Sequence, residues 1–170
     1  MGSLIKQDIE LLISYLREKK YIIEIGSGRS TKLISRNIKD DAVFYSINLF
    51  PISKINKLKN VRYKIGWLIK YEDFILPKDK DFVKASYNNL PDGDVVFKGK
   101  SFMKGECDLL RKIITEQGRG PDVFFCDSGE YSALPEWKII KPYMVKNSIV
   151  AFHNIYHEKQ QYYFLSYKVL

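Results

Sequence analysis

A glycine-containing turn near the amino end of the chain carries the first residues that could do chemistry. The short apolar run at residues 21–25 is interrupted by the segment EIGSGRST at residues 24–31, and a helical pattern follows. Gly26 and Gly28 permit a tight turn and let a ligand approach the backbone, and the next helix offers free amides at its start. Glu24 adds a carboxylate. The spacing predicts a ligand site at the end of the first strand.

Two more reactive side chains follow apolar runs late in the chain. Asp127 comes directly after the run at residues 123–126, and His153 after the run at residues 148–152. Asp127 could contact a cofactor, a substrate or a metal ion, and an aspartate that caps a turn or helix is the alternative. His153 could be a general base because its unperturbed pKa lies near neutral pH. A histidine with its bonds satisfied at a strand end is the alternative there.

Alternating strands and helices must position these residues. The apolar periodicity predicts strands at residues 21–25, 42–47, 61–65, 123–126 and 148–152, and helices at 3–20, 30–37, 54–58, 107–117 and 134–140. Scattered proline and glycine make residues 71–103 a long connection. Five apolar strands separated by helices predict one α/β domain over residues 1–170, a doubly wound, mainly parallel sheet with helices on both faces. In such sheets, ligands bind at the carboxyl ends of the strands, where strand order reverses.

Composition limits the class of protein. Hydrophobic residues make up 45% of the chain, which is enough for a core, and two cysteines do not make a disulfide framework. With no signal sequence and no apolar stretch long enough to span a membrane, we expect a protein of the reducing cytoplasm without membrane contact.

The net charge of +8 is concentrated in the first half of the chain. Five cations without an acidic neighbour could attract phosphates or an anionic surface, or could form an ordinary solvated face. They are Lys54, Lys57, Lys59, Arg62 and Lys64.

The glycine turn and the late segment together resemble the class I S-adenosylmethionine-dependent methyltransferases. Residues 24–31 are similar to that family's first motif, acidic-x-Gly-x-Gly followed by Ser-Thr, and residues 121–153 to its fourth strand, following helix and fifth strand. The resemblance implies a Rossmann-like fold and S-adenosylmethionine as cofactor, with Asp127 and His153 near the chemistry. The residues it places around the cofactor are Glu24, Gly26, Ser27, Gly28, Ser30, Thr31, Asn48 and Asp127. Trp67, just past the third strand, could stack on the adenine, and a tryptophan of the core is the alternative.

The chain departs from the family pattern at two places. Asn48, twenty residues after Gly28, stands where the family usually has an acidic residue that holds the ribose hydroxyls. An amide accepts one hydrogen bond and donates another but lacks the charge that strengthens the pairing. Few residues follow the fifth strand, so the family's terminal antiparallel hairpin must be reduced. Asp127 and Asn154 resemble the oxygen ligands of magnesium-dependent members, although we do not expect the reaction to need Mg²⁺.

The resemblance implies a methyltransferase whose acceptor is a hydroxyl of a small molecule or sugar, and three alternatives stay open. An RNA acceptor would use the basic run at residues 54–64. A non-catalytic binding protein could keep the fold without the activity. A dinucleotide-dependent dehydrogenase would require a third glycine where this chain has Thr31. Oligomeric state is not determined by any of these patterns.

Overall fold

The computed structural model describes residues 6–48, 51–70, 73, 108–127 and 133–152. Within them the chain alternates between helices and strands. The order is α1 (Lys6–Leu16), β1 (Tyr21–Ile25), α2 (Arg29–Asn37), β2 (Val43–Asn48), β3 (Val61–Ile65), α3 (Leu109–Gln117), β4 (Val123–Cys126), α4 (Ala133–Ile140), a 3₁₀ turn (Lys141–Tyr143) and β5 (Ile149–Phe152).

The five strands form one parallel sheet in the order β3-β2-β1-β4-β5. The chain moves outward from β1 to β2 and β3, then crosses back to place β4 on the other side of β1. Strand order therefore reverses between β1 and β4, which is the point where open parallel sheets bind ligands. The predicted doubly wound, Rossmann-like architecture is confirmed.

Two apolar layers cover the sheet. Leu16 of α1 and Ile34 of α2 pack with Ile22 and Phe44 on one face. The other face carries α3 and α4, with buried contacts that include Ile23, Tyr45, Ile113, Phe124 and Ile140. Every residue of β1 and β4 is buried, as expected for strands covered on both sides.

The segment between β2 and β3 contradicts the helix predicted at residues 54–58. Residues 53–57 form successive turns, with the amides of Ile55 and Leu58 bonded to the carbonyls three residues earlier. The apolar side chains of this segment are too few to bury a helical stripe, and Ile55 alone is fully buried. The helix predicted at residues 3–20 also ends early, at Leu16, because the backbone amide of Lys20 is bonded by the carboxylate of Asp122.

Candidate functional site

The carboxyl ends of β1, β2 and β4 lie side by side at the point where strand order reverses. The amide of Gly26 donates to the carbonyl of Ile47 at 3.0 Å, and the amide of Asp127 donates to the carbonyl of Ile25 at 3.0 Å. The amide of Gly66 bonds the carbonyl of Asn48 in the same way, which extends this edge to β3. The fold therefore brings the glycine turn, Asn48 and Asp127 to one edge of the sheet.

The two glycines of the turn serve different purposes. Gly26 has φ +87, and a Cβ there would lie 2.7 Å from the carbonyl oxygen of Asp127. A side chain at this position would clash with the backbone after β4, so Gly26 lets the two loops pass each other. A Cβ on Gly28 would meet no atom within 4 Å. The space next to Gly28 is open, as a position that a ligand approaches must be.

A hydrogen-bond network below the turn is built on Glu24, which is fully buried. The hydroxyls of Thr31 and Ser46 both donate to Glu24 Oε2, at 2.6 and 2.7 Å. Ser27 Oγ lies 2.7 Å from Ser46 Oγ, and the amide of Gly28 donates to Thr31 Oγ1 at 2.8 Å. Thr31 therefore bonds Glu24 directly, Ser27 joins the network through Ser46 of β2, and together these side chains hold the turn from its inner side.

Burial makes the Glu24 carboxyl an unusual acid. Removal from water raises its pKa from 4.5 to about 7, against the opposing effect of the Ser30, Thr31 and Ser46 hydroxyls. The negative charge of Asp127 raises the pKa further. Glu24 Oε1 is buried and has no hydrogen-bond partner among the residues that the structure describes. The carboxyl next to the turn can therefore change its charge near neutral pH.

The remaining predicted residues surround this turn where the structure describes them. Ser30 lies half-buried in the first turn of α2, and Asn48 and Asp127 are half-buried at the ends of their strands. Trp67 follows Gly66 after β3, and its carbonyl accepts the amide of Leu109 at 3.1 Å, so it links the edge to α3. His153 and Asn154 lie outside the described residues, and their predicted roles stay predictions.

Sequence reasoning missed two polar residues. Ser46 lies opposite Glu24 in the β1–β2 register and is a principal partner of its carboxylate. A lone serine inside an apolar strand was the available signal. Glu136 of α4 is fully buried on the other face of the sheet, where Cys126 Sγ donates to its Oε2 at 3.5 Å. The thiol of Cys126, buried in an apolar strand, therefore has a buried carboxylate as its partner.

A separate cavity of about 350 Å³ lies beside α3 and α4. Its lining includes Arg111, Lys138, Tyr143 and Asp73, and none of the predicted site residues. Arg111 is already paired there with Asp73 at 2.6 Å and Asp108 at 2.7 Å. The cavity is therefore distinct from the glycine turn, and its cation Arg111 is neutralised by Asp73 and Asp108.

Metal-binding clusters and membrane-spanning helices are both absent from the described residues. In the described ranges no three side chains of His, Cys, Asp or Glu come together as a metal site would require. None of the helices in that part of the chain has the length and apolar character needed to cross a bilayer.

No protein-family model and no curated protein matches this chain. The case for a function therefore depends on the motifs and on the geometry of the site that they form.

Proposed function

We propose that this protein is a methyltransferase that binds S-adenosylmethionine at the glycine turn. The observation that carries the proposal is the open space beside Gly28, at the point where strand order reverses. Gly26, which has no side chain, lets the turn before it lie against the backbone of Asp127. The bound cofactor would supply an electrophilic methyl group on a sulfonium. The protein must then bind the nucleoside, orient the acceptor and receive its proton.

Charge near the turn favours this cofactor over a dinucleotide. The half-buried carboxyl of Asp127 beside the turn complements a cationic ligand better than a pyrophosphate, whereas Glu24 is fully buried below the turn and bonded to Thr31 and Ser46. Thr31 occupies the position of a dinucleotide site's third glycine, and it is buried and bonded to Glu24. These two features support S-adenosylmethionine, which carries positive charge and no phosphate, over NAD.

Each remaining residue is assigned a role in the proposal. Asn48, at the end of β2, would accept and donate hydrogen bonds to the ribose hydroxyls. Trp67 would stack against the adenine. Asp127 would orient the acceptor, with His153 as the proton acceptor. The proposed acceptor is a hydroxyl of a small molecule or sugar, and RNA is the alternative.

Calorimetric titration with S-adenosylmethionine tests the proposal. We expect micromolar binding by the unaltered protein and, because a new side chain fills the open space, at least about tenfold weaker binding by Gly28→Val. The melting temperature of Gly28→Val should stay close to that of the unaltered protein, since no atom lies near the new Cβ. Absence of binding at millimolar cofactor by folded protein would overturn the proposal, and binding of NAD instead would support the dehydrogenase.

Gly26→Ala serves as the comparison variant, because it should lower stability whereas Gly28→Val should not. The positive φ and the 2.7 Å approach to Asp127 should cost about 1–3 kcal/mol of unfolding free energy. Loss of binding by Gly26→Ala alone would therefore not locate the ligand, whereas loss by Gly28→Val at unchanged stability would.

A further inference from the structure

The surface around the β3 edge of the sheet carries cations from three consecutive elements. Arg29, Lys32 and Arg36 lie three and four residues apart on α2, so they share one side of that helix, the side opposite buried Thr31 and Ile34. All three reach solvent at least in part. This side of α2 is therefore a positively charged face that begins immediately after Gly28.

The connection between β2 and β3 continues this charged face. Lys54, Lys57 and Lys59 are exposed on its turns, and the side-chain amide of Asn60 donates to the carbonyl of Ser35 at 2.6 Å. That bond fixes the connection against the side of α2. The helix, the turns and the strand that follows form one surface, which we call the basic edge.

The edge strand β3 completes it. Arg62 and Lys64 project from the other face of the sheet, where Arg62 Nη1 donates to the hydroxyl of Tyr45 at 3.0 Å. Residues 42–71 contain no acidic residue. Across the described residues, no carboxylate oxygen lies within ion-pairing distance of any cation of the basic edge. The described residues therefore leave the cations of this surface without ion pairs, and Glu116 reaches Arg62 only through the Tyr45 hydroxyl that both contact.

We propose that the basic edge binds the phosphate backbone of a single-stranded nucleic acid. Its cations extend around the edge strand, from α2 on one face of the sheet to Arg62 and Lys64 on the other, and a flexible polyanion can follow such a surface. A flat bilayer cannot contact both faces at once. Among the described residues, Ile65 is the only large apolar side chain that is substantially exposed beside these cations, so this part of the surface lacks the row of apolar anchors found in a membrane-binding helix.

The basic edge also reaches the proposed cofactor site. Arg29 directly follows Gly28, and Lys64 lies beside Ile47, one residue before the end of β2. A single-stranded nucleic acid bound to the basic edge would therefore pass close to the glycine turn. Binding of the nucleic acid does not depend on the proposed methyltransferase function. A role of the nucleic acid as the methyl acceptor would depend on it.

Fluorescence anisotropy with labelled single-stranded RNA and DNA oligonucleotides, measured at increasing salt concentration, tests whether the basic edge binds nucleic acid. We expect binding at low salt that weakens with a logarithmic slope of about −0.7 for each phosphate neutralised. The triple variant Lys54→Glu, Lys57→Glu, Lys59→Glu should bind at least about tenfold more weakly and with a shallower slope. Arg29→Glu with Arg36→Glu should weaken binding in the same direction if α2 belongs to the surface.

A matched triple variant controls for net charge. Arg17→Glu, Lys138→Glu, Lys146→Glu changes the same number of exposed cations elsewhere on the molecule and should keep the affinity of the unaltered protein. Equal weakening by both triples, no binding at low salt, or binding of phosphatidylserine vesicles in place of the oligonucleotides would overturn the proposal. Gly28→Val should still bind the oligonucleotide, which separates failure of this surface from failure of the cofactor site.

Discussion

Glu24 has a structural role that conflicts with its charge. It holds the glycine turn through Thr31 and Ser46, and hydroxyl donors bind an ionised carboxylate best. Full burial next to Asp127 nevertheless favours the neutral acid. Glu24 is therefore harder to ionise in the folded protein than in the unfolded chain, where it behaves as an ordinary glutamate.

This conflict predicts an unusual pH dependence of stability. Because the folded pKa of about 7 exceeds the unfolded value of 4.5, the folded state binds the extra proton between these limits. The contribution of Glu24 is complete below pH 4.5 and is lost as pH rises to about 7. The loss is about 3 kcal/mol at 1.36 kcal/mol per pKa unit.

Urea unfolding of Glu24→Gln between these pH values measures the effect. Glutamine keeps an oxygen that accepts from Thr31 and Ser46 but has no charge, so the decline of unfolding free energy with pH should disappear. Glu18→Gln, in an exposed pair with Lys39, should keep the decline of the unaltered protein. A decline that persists in Glu24→Gln would contradict this assignment.

The amino end of β1 is held by the side chain of Asp122, at the opposite end of the strand from the glycine turn. At the amino end, Asp122 Oδ2 accepts the amides of Lys20 and Tyr21, both at 2.9 Å. Its other carboxylate oxygen pairs with Arg119 at 2.8 Å. Asp122 therefore ties the start of β1 to the loop before β4, far along the strands from the glycine turn.

Removing this tie should lower stability without changing cofactor binding. Asp122→Ala leaves two amides and a cation without their partner, and it should cost about 1–3 kcal/mol of unfolding free energy. Asp41→Ala, which breaks an exposed pair with Lys20 at 3.1 Å, should cost less than about 1 kcal/mol. Chemical unfolding gives both values, and equal costs would show that the backbone bonds of Asp122 contribute little.

The pKa of Asp122 gives this variant a pH signature. Burial opposes ionisation, but the bonds from Arg119 and from the amides of Lys20 and Tyr21 outweigh it and lower the pKa below 3.8. The stability from Asp122 is therefore present above that value and is lost as pH falls through the lowered pKa. Asp122→Ala should lose its difference from the unaltered protein in strong acid, the opposite direction from Glu24.

The end of β3 offers a spectroscopic test of the site. The chain has two tryptophans, and Trp137 packs edge-on against Phe152 with ring centroids 6.1 Å apart. Trp137→Phe preserves an aromatic contact there and leaves Trp67 as the sole tryptophan. Stacking of adenine on Trp67 should quench its fluorescence as S-adenosylmethionine is added. Unchanged fluorescence at cofactor concentrations that calorimetry shows to be saturating would remove Trp67 from the site.

Sequence patterns predicted the strands well because buried β-branched runs bounded by glycine and proline have few other uses. They failed at residues 54–58, where the two apolar side chains, Ile55 and Leu58, belong to turns and only Ile55 is fully buried. They also could not assign the direction of polar side chains at the turn. Strand register brings Ser46 opposite Glu24, and that pairing turns Ser27 and Thr31 inward. Register depends on contacts distant in sequence, which local periodicity does not contain.

In the molecule as a whole, Asp122 with its partners and the proposed cofactor site lie at opposite ends of the strands. The amino ends are held by Asp122 and its partners, whereas the carboxyl ends carry the open position beside Gly28 and the carboxyls of Glu24 and Asp127. The basic edge adds a surface along one side whose cations form no ion pair with the described residues. Substitution of Asp122 at the amino end should therefore change stability alone, whereas substitutions at the carboxyl end should change cofactor binding and, at Glu24 and Gly26, stability as well.

Two-dimensional amide NMR of the isotope-labelled protein, titrated with S-adenosylmethionine, tests the location of the cofactor most directly. We predict saturable shifts at the amides of Gly26, Ser27, Gly28, Asn48 and Asp127, with those of Lys20 and Asp122 unchanged. Shifts grouped instead around Arg111, Lys138 and Tyr143, at the separate cavity, would contradict the account, as would a spectrum of the folded protein that millimolar cofactor leaves unaltered.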